Sequence, residues 1–244
     1  MPARGVRHIT IPIDKFKEEY NSQLDTLAAR LAEHGLELNA GRKETLYRFA
    51  LLIAERAQEF NLVSRGDLER VIDKHVGASL GPLLYVKTDP RSLWVDIGSG
   101  AGLPGMVLKA WEPEQPMLFV ESSGKRCLFL EEAGHRLGLG VAVKQARCEE
   151  LSIQNLVQAW GGAYPIRHFV YFMRAVDPLL KASSWVPSLM TPGDLWLFYT
   201  GIGWEKLYES CREELEASSM KLIKCLEVPW SPGRILIFEK DVRE

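Results

Sequence analysis

At 244 residues, 46% of them hydrophobic and 25% charged, the chain has enough apolar mass for one large domain or a medium domain with a helical extension, which excludes disorder as its default state. A formal net charge of −2 gives no strong field of either sign, so any contact with nucleic acid must use a local basic patch. No apolar run approaches the roughly 20 residues of a membrane span, and residues 1–17 lack the continuous apolar core of a secretory signal. Cys127, Cys148, Cys211 and Cys225 form no C-x-x-C pair and have no histidine at zinc-ligand spacing. Reduced thiols in a cytoplasmic protein without a metal centre are therefore expected.

In chain order, the first third reads as helices. Phe16, Tyr20, Leu24, Leu27, Ala28 and Leu31 recur at three- and four-residue steps, as do Leu46, Phe49, Ala50, Ile53, Ala57 and Phe60. Leu68, Val71, Ile72, His75, Val76 and Leu80 repeat the pattern after Asp67, the expected N-cap, and Gly35, Gly41 and Gly66 punctuate the three stretches. His75, on that apolar stripe, reads as a hydrogen-bonded core histidine. Past a boundary near Thr88-Asp89-Pro90 the period changes. Short apolar runs predict strands at 92–97, 116–121, 141–145, 167–172 and 194–199, alternating with helices that start near Leu103, Gly124, Glu149, Asp177 and Trp204. Runs 221–228 and 234–239 flank Pro229-Trp230-Ser231-Pro232-Gly233, which is too short for a crossover, so they should pair antiparallel. The expected fold is an α/β domain over 91–244, Rossmann-like with a mostly parallel seven-stranded sheet closed by an antiparallel hairpin, after a helical region over 1–90.

The most informative run is Leu93-Trp94-Val95-Asp96-Ile97-Gly98-Ser99-Gly100-Ala101-Gly102-Leu103-Pro104-Gly105, a buried strand, a glycine turn and a helix start. Glycines let the backbone turn sharply and approach a ligand. A dinucleotide loop needs G-x-G-x-x-G to bring a pyrophosphate to the helix N-terminus; here the third glycine is Gly102 and Leu103 stands in its slot. Glu121 ends the second strand 19 residues after Gly102, where a carboxylate can accept from both ribose hydroxyls of an adenosyl group. A loop without pyrophosphate spacing, followed by that acid, suits S-adenosylmethionine. Asp96 either holds the turn or reaches the methionine amine through water.

The run from Val95 to Gly105, with Val120-Glu121-Ser122-Ser123-Gly124-Lys125-Arg126, resembles the small-subunit ribosomal RNA methyltransferase G family, also called glucose-inhibited division protein B. Asn61-Leu62, His75, Ala146-Arg147-Cys148-Glu149-Glu150-Leu151 and Arg174-Ala175 extend the resemblance over roughly 61–201. It implies transfer of a methyl group from S-adenosylmethionine to N7 of a guanine in 16S rRNA, on the small ribosomal subunit. It further implies that Gly98 and Leu103 contact the cofactor, with Gly100 and Gly102 in the same loop, that Cys148 and Glu149 hold the adenine, and that Arg174 lies at the mouth shared by cofactor and substrate. Read without the family, Cys148 is a core thiol and Arg174 a surface charge.

Three departures from the family pattern bear on the substrate side. Arg-Ala-Phe-Ala-Ser reads Arg174-Ala175-Val176-Asp177-Pro178, Lys-Gly after the fifth strand reads Thr200-Gly201, and the acid that follows the His75 position is replaced in Gly77-Ala78-Ser79. Guanine N7 has a free lone pair, so the catalytic role falls to alignment and to Arg174 as an orienting cation, without a general base. No Asp-Pro-Pro-Tyr-like tetrapeptide or Pro-Cys dipeptide points to amine or cytosine-carbon methylation. Lys125 and Arg126 are the first candidates for RNA binding, ahead of Arg42, Lys43, Arg48, Arg65, Arg70, Lys74 and Arg136, though such charges also serve simply to solvate helices. A monomer is expected. The alternatives are a methyltransferase acting on a protein or small molecule, and a cofactor-binding protein that docks on the ribosome without catalysis.

Overall fold

The computed structural model describes residues 14–162, 165–175 and 178–241. The helical region opens with α1 (Asp14–Ala32) and α2 (Ala40–Phe60). Both bury most of the expected stripes, Phe16, Tyr20, Leu24, Leu27 and Leu31 from one, Leu46, Phe49, Ala50, Ile53 and Ala57 from the other, while Ala28 and Phe60 are only half-buried. Asn39 caps α2 by accepting from the Arg42 N–H at 2.9 Å, and Asn61 ends it at φ 51°, a left-handed conformation that asparagine tolerates. Gly41 falls in the first turn of α2 and Gly66 inside a 3-10 turn, so only Gly35 separates two helices.

The third apolar stretch is not the single helix its period predicts. It comprises a 3-10 turn (Arg65–Arg70), a π-helical segment (Val71–Val76), one α-helical turn, α3 (Gly77–Ser79), and a second 3-10 turn (Gly81–Leu84). Ser64 occupies the N-cap in place of Asp67, whose carboxylate pairs with Lys74. Gly77, Ala78 and Ser79 are all buried, and a β-carbon on Gly77 would already touch Leu27 and Trp230 at 3.4 Å. Small residues here allow close packing of α3.

The remaining chain alternates β1 (Ser92–Ile97), α4 (Gly105–Trp111), β2 (Met117–Glu121), α5 (Gly124–Leu137), β3 (Ala142–Gln145), α6 (Ile153–Trp160), β4 (His168–Met173), α7 (Leu179–Ala182), β5 (Leu195–Thr200), α8 (Trp204–Glu209) and α9 (Arg212–Ala217), then closes with β6 (Met220–Glu227) and β7 (Arg234–Lys240). Every strand lies within one residue of its expected bounds. The helix expected near Glu149 begins only at Ile153, because Cys148–Glu150 forms a 3-10 turn and Ser152 with Asn155 makes a reciprocal capping box. The start expected near Asp177 lies outside the described residues.

The sheet order is β3-β2-β1-β4-β5-β7-β6, parallel from β3 to β5 and antiparallel at β5–β7 and β7–β6. Successive strand residues point to opposite faces. Trp94, Phe119, Phe172, Leu197, Ile235 and Ile237 share one core with α1, α2, α4 and α5, while Leu93, Val95, Leu118, Tyr171, Trp196 and Phe198 share the other with Leu156, Leu179 and Leu215. The chain runs outward one way through β1, β2 and β3 and the other way through β4 and β5, so the crevice at the C-terminal ends of β1 and β4 is the topological switch point, where α/β sheets bind ligands.

Candidate functional site

Gly98, Gly100 and Gly102 follow β1 with φ of 68°, 55° and 78°. The loop is tied to β2, because the N–H groups of Gly98 and Ser99 both donate to the Val120 carbonyl, at 2.8 and 3.1 Å. The glycines do different jobs. A β-carbon on Gly102 would lie 2.8 Å from that of Met106, and one on Gly105 only 2.4 Å from Oδ2 of Asp96, so these two let α4 pack closely on the strands. A β-carbon on Gly100 would meet nothing nearer than the Gly98 carbonyl at 3.8 Å, and Gly98 lines a cleft.

That cleft has a volume of about 220 Å³ and is also lined by Val120, Glu121, Ser122, Arg126, Ala146, Cys148 and Ala175. Glu121 is buried, with Oε2 accepting from the Gly100 N–H at 2.9 Å and Oε1 from the Ser123 N–H at 2.9 Å and the Ser122 hydroxyl at 3.3 Å. Asp96 is buried behind the loop, where its Oδ2 accepts from the Gly105 N–H at 2.9 Å and secures the start of α4. Burial pushes this carboxyl up to about 7, against the opposing pull of the Gly105 hydrogen bond.

Of the residues expected at a cofactor, Gly98, Glu121 and Cys148 line the cleft, and Gly100 contributes through its bond to Glu121. Asp96, Gly102 and Leu103 lie in the packed layer beneath the loop. Glu149 is exposed and its Oε1 accepts from Lys181 at 3.0 Å. Arg126 lines the cleft while donating to the Asn61 carbonyl at 3.2 Å, and Lys125 beside it is exposed. Arg42, Lys43, Arg48, Lys74 and Arg136 are all engaged in contacts within the chain, whereas Arg65 and Arg70 are exposed.

Arg174, at the end of β4, is half-buried. Its guanidinium meets the carbonyls of Lys74 and His75, the Ser79 hydroxyl and Nδ1 of His75, and stands over the Tyr199 ring. Ser122, Ala146, Ala175, Ser79 and Tyr199 were not singled out by the sequence. For Ser122, Ala146 and Ala175 the signal was available, since all three lie within the family-like runs at the ends of β2, β3 and β4. Opposite Thr200, where the family pattern has a lysine, stands Arg234 of β7, paired with Glu227 at 2.8 Å. Among the described residues no helix is long and apolar enough to cross a membrane, and no cluster of three His, Cys, Asp or Glu could hold a metal.

The profile of the GidB family, rRNA small subunit methyltransferase G, matches residues 42–229. Ribosomal RNA small subunit methyltransferase G of Halorhodospira halophila is 32% identical over 208 residues, 85% of this chain and 89% of the relative. The Staphylococcus epidermidis protein of the same name is 30% identical over 223 residues, 89% of this chain and 90% of its own. Among solved structures, the [4+2]-cyclase SpnF matches with a TM-score of 0.50 at 11% identity, covering 83% of this chain and 97% of the cyclase, a likeness of fold alone. By the span of the family match and by these two relatives, the chain belongs to the rRNA small subunit methyltransferase G family.

Proposed function

We propose that this chain transfers a methyl group from S-adenosylmethionine to N7 of a guanine in 16S rRNA, acting on the small ribosomal subunit as a cytoplasmic monomer. Within this reading residues 1–90 form the helical region and 91–244 the methyltransferase domain. The observation that carries it is the buried Glu121 carboxylate at the end of β2, bonded to the Gly100 N–H at 2.9 Å and lining a cleft with Gly98 and Cys148.

The donor set fits an adenosyl group. With one hydrogen bond on Oε2, Glu121 retains a lone pair for a ribose hydroxyl, and the Ser122 hydroxyl can turn to release another on Oε1. Val120, Ala146 and Cys148 offer the adenine a largely apolar lining. A pyrophosphate is less well served, because the N–H groups of Gly102 and Leu103 both donate to the Ser99 carbonyl, at 2.7 and 3.3 Å.

The bound cofactor supplies an electrophilic methyl group on a sulfonium. Glu121 and Gly98 would hold its adenosyl part, with Cys148 and Glu149 toward the adenine, while Asp96, Gly100, Gly102 and Leu103 keep the loop in shape. Arg174 would orient the guanine, and since N7 needs no deprotonation the chain supplies alignment and charge. Lys125 and Arg126, at the start of α5 beside the cleft, would bind RNA phosphates.

The test is transfer of labelled methyl from S-adenosylmethionine to small subunits, and to rRNA stripped of protein, from cells lacking this chain, followed by cleavage chemistry specific for 7-methylguanine. A single labelled guanine is expected. Label on a protein or small molecule, or on no RNA despite cofactor binding, would overturn the reading.

A further inference from the structure

Arg174 is gripped by a stretch of chain about a hundred residues before it. Nη1 donates to the His75 carbonyl and to Oγ of Ser79, both at 3.3 Å. Nη2 donates to the Lys74 carbonyl at 3.5 Å and lies 2.9 Å from Nδ1 of His75. Beneath the guanidinium is the Tyr199 ring, its centroid 5.7 Å from the guanidinium carbon, and the Tyr199 hydroxyl in turn donates to the Ser79 carbonyl at 3.4 Å. Both residues that offer carbonyls belong to the π-helical segment Val71–Val76, a departure from the α-helix that recurs at functional sites.

The shortest of these contacts sets the state of the imidazole. A guanidinium has donors only, so Nδ1 must carry a lone pair, and His75 is neutral with its proton on Nε2. That nitrogen lies 3.4 Å from Oδ2 of Asp67 and makes no hydrogen bond among the described residues. The surroundings favour the neutral ring, since burial first and the Arg174 charge second hold His75 down at about 4, with Asp67 opposing them. With both terminal nitrogens committed, the Nε–H of Arg174 is the one N–H without a partner among the described residues.

We propose that His75 is the positioning residue for Arg174, its neutral imidazole accepting through Nδ1 so that the guanidinium presents its charge and its Nε–H in one fixed orientation beside Ala175, a residue of the cleft wall. The inference rests on the reading of Arg174 as the group that orients the base. It makes the helical region part of the catalytic geometry. The residue that an apolar stripe marks as core is then retained for its acceptor nitrogen.

The experiment uses the full chain with small ribosomal subunits and three variants, His75→Leu, His75→Asn and Arg174→Gln, each assayed for kcat, KM and cofactor affinity. Loss of one hydrogen bond to a charged group predicts a kcat roughly tenfold lower or worse for His75→Leu, with cofactor affinity unchanged. His75→Asn, whose Oδ1 can take the place of Nδ1, recovers most of it. In the unaltered chain, nitrogen NMR of the imidazole shows the Nε2–H tautomer, and the Nδ1 signal moves in Arg174→Gln. Full activity in His75→Leu with loss in Arg174→Gln would overturn the role of His75 alone, as would equal loss in Leu and Asn variants or a protonated Nδ1 in the unaltered chain. Full activity in Arg174→Gln would overturn the assignment of Arg174 itself, and that of His75 with it.

Discussion

Asp96 and Glu121 are both buried acids beside one glycine loop, and their surroundings give them different tasks. Glu121 bonds to three donors from the loop and the β2 end and keeps a free lone pair on the cleft side, whereas Asp96 bonds to the first N–H of α4. Burial pushes Asp96 up to about 7 from an ordinary 3.8. A carboxyl with a raised folded-state pKa binds its proton more tightly in the folded chain. Its contribution to stability is therefore complete below about 4, falls as the pH rises toward about 7, and is constant above. Asp96→Asn keeps an acceptor for the Gly105 N–H and removes the titration. Its melting temperature, measured against that of the unaltered chain, should rise relative to it between pH 4 and 7 and then level off; a difference independent of pH would mean that Asp96 titrates near its ordinary value. The spacing of acids and glycines was legible in the sequence, but not that Gly102 and Gly105 serve packing. Their constraints come from Leu130 and Phe49 beside Gly102 and from Asp96 and Phe119 beside Gly105, whose proximity only the folded chain creates.

The strands were legible almost to the residue because alternating burial on a two-faced sheet leaves a strong local imprint. The third helical stretch was not. Its apolar residues repeat at helical spacing, yet its backbone passes through 3-10, π and α geometry in turn, since it must satisfy α1, the Arg174 guanidinium and the closing hairpin together. One element-level contact tests this coupling. Trp230, in the turn between β6 and β7, is buried and donates through Nε1 to the Gly77 carbonyl at 2.8 Å. Trp230→Phe should cost about 1–2 kcal/mol in urea unfolding, the range of one hydrogen bond with some lost packing, with the denaturant dependence unchanged. No loss would mean that the hairpin does not brace α3.

Across the whole molecule, the helical region and the sheet share a hydrophobic core. Phe16, Leu24, Phe49 and Ile72 pack in one cluster with Trp94, Phe172, Leu197 and Ile237. A fragment spanning 91–241 would expose a contiguous apolar face. It should lack a cooperative thermal transition and bind a hydrophobic dye such as ANS. Cooperative unfolding of that fragment would instead show that the helical region is separable from the methyltransferase domain. This shared core is also what lets residues before position 90 reach the end of β4.

The sequence by itself determined the succession of strands, the antiparallel closing hairpin, the glycine loop with its acid, and membership of the family, because each is written in local period, spacing or contiguous motif. Only the tertiary structure decided that Gly100 and Glu121 meet, that Asp96 braces α4, and that His75 grips Arg174 across 99 positions. Side-chain direction between distant elements depends on strand register and on how helices seat against the sheet. Those are settled by packing of the whole chain, and no local window of residues encodes them.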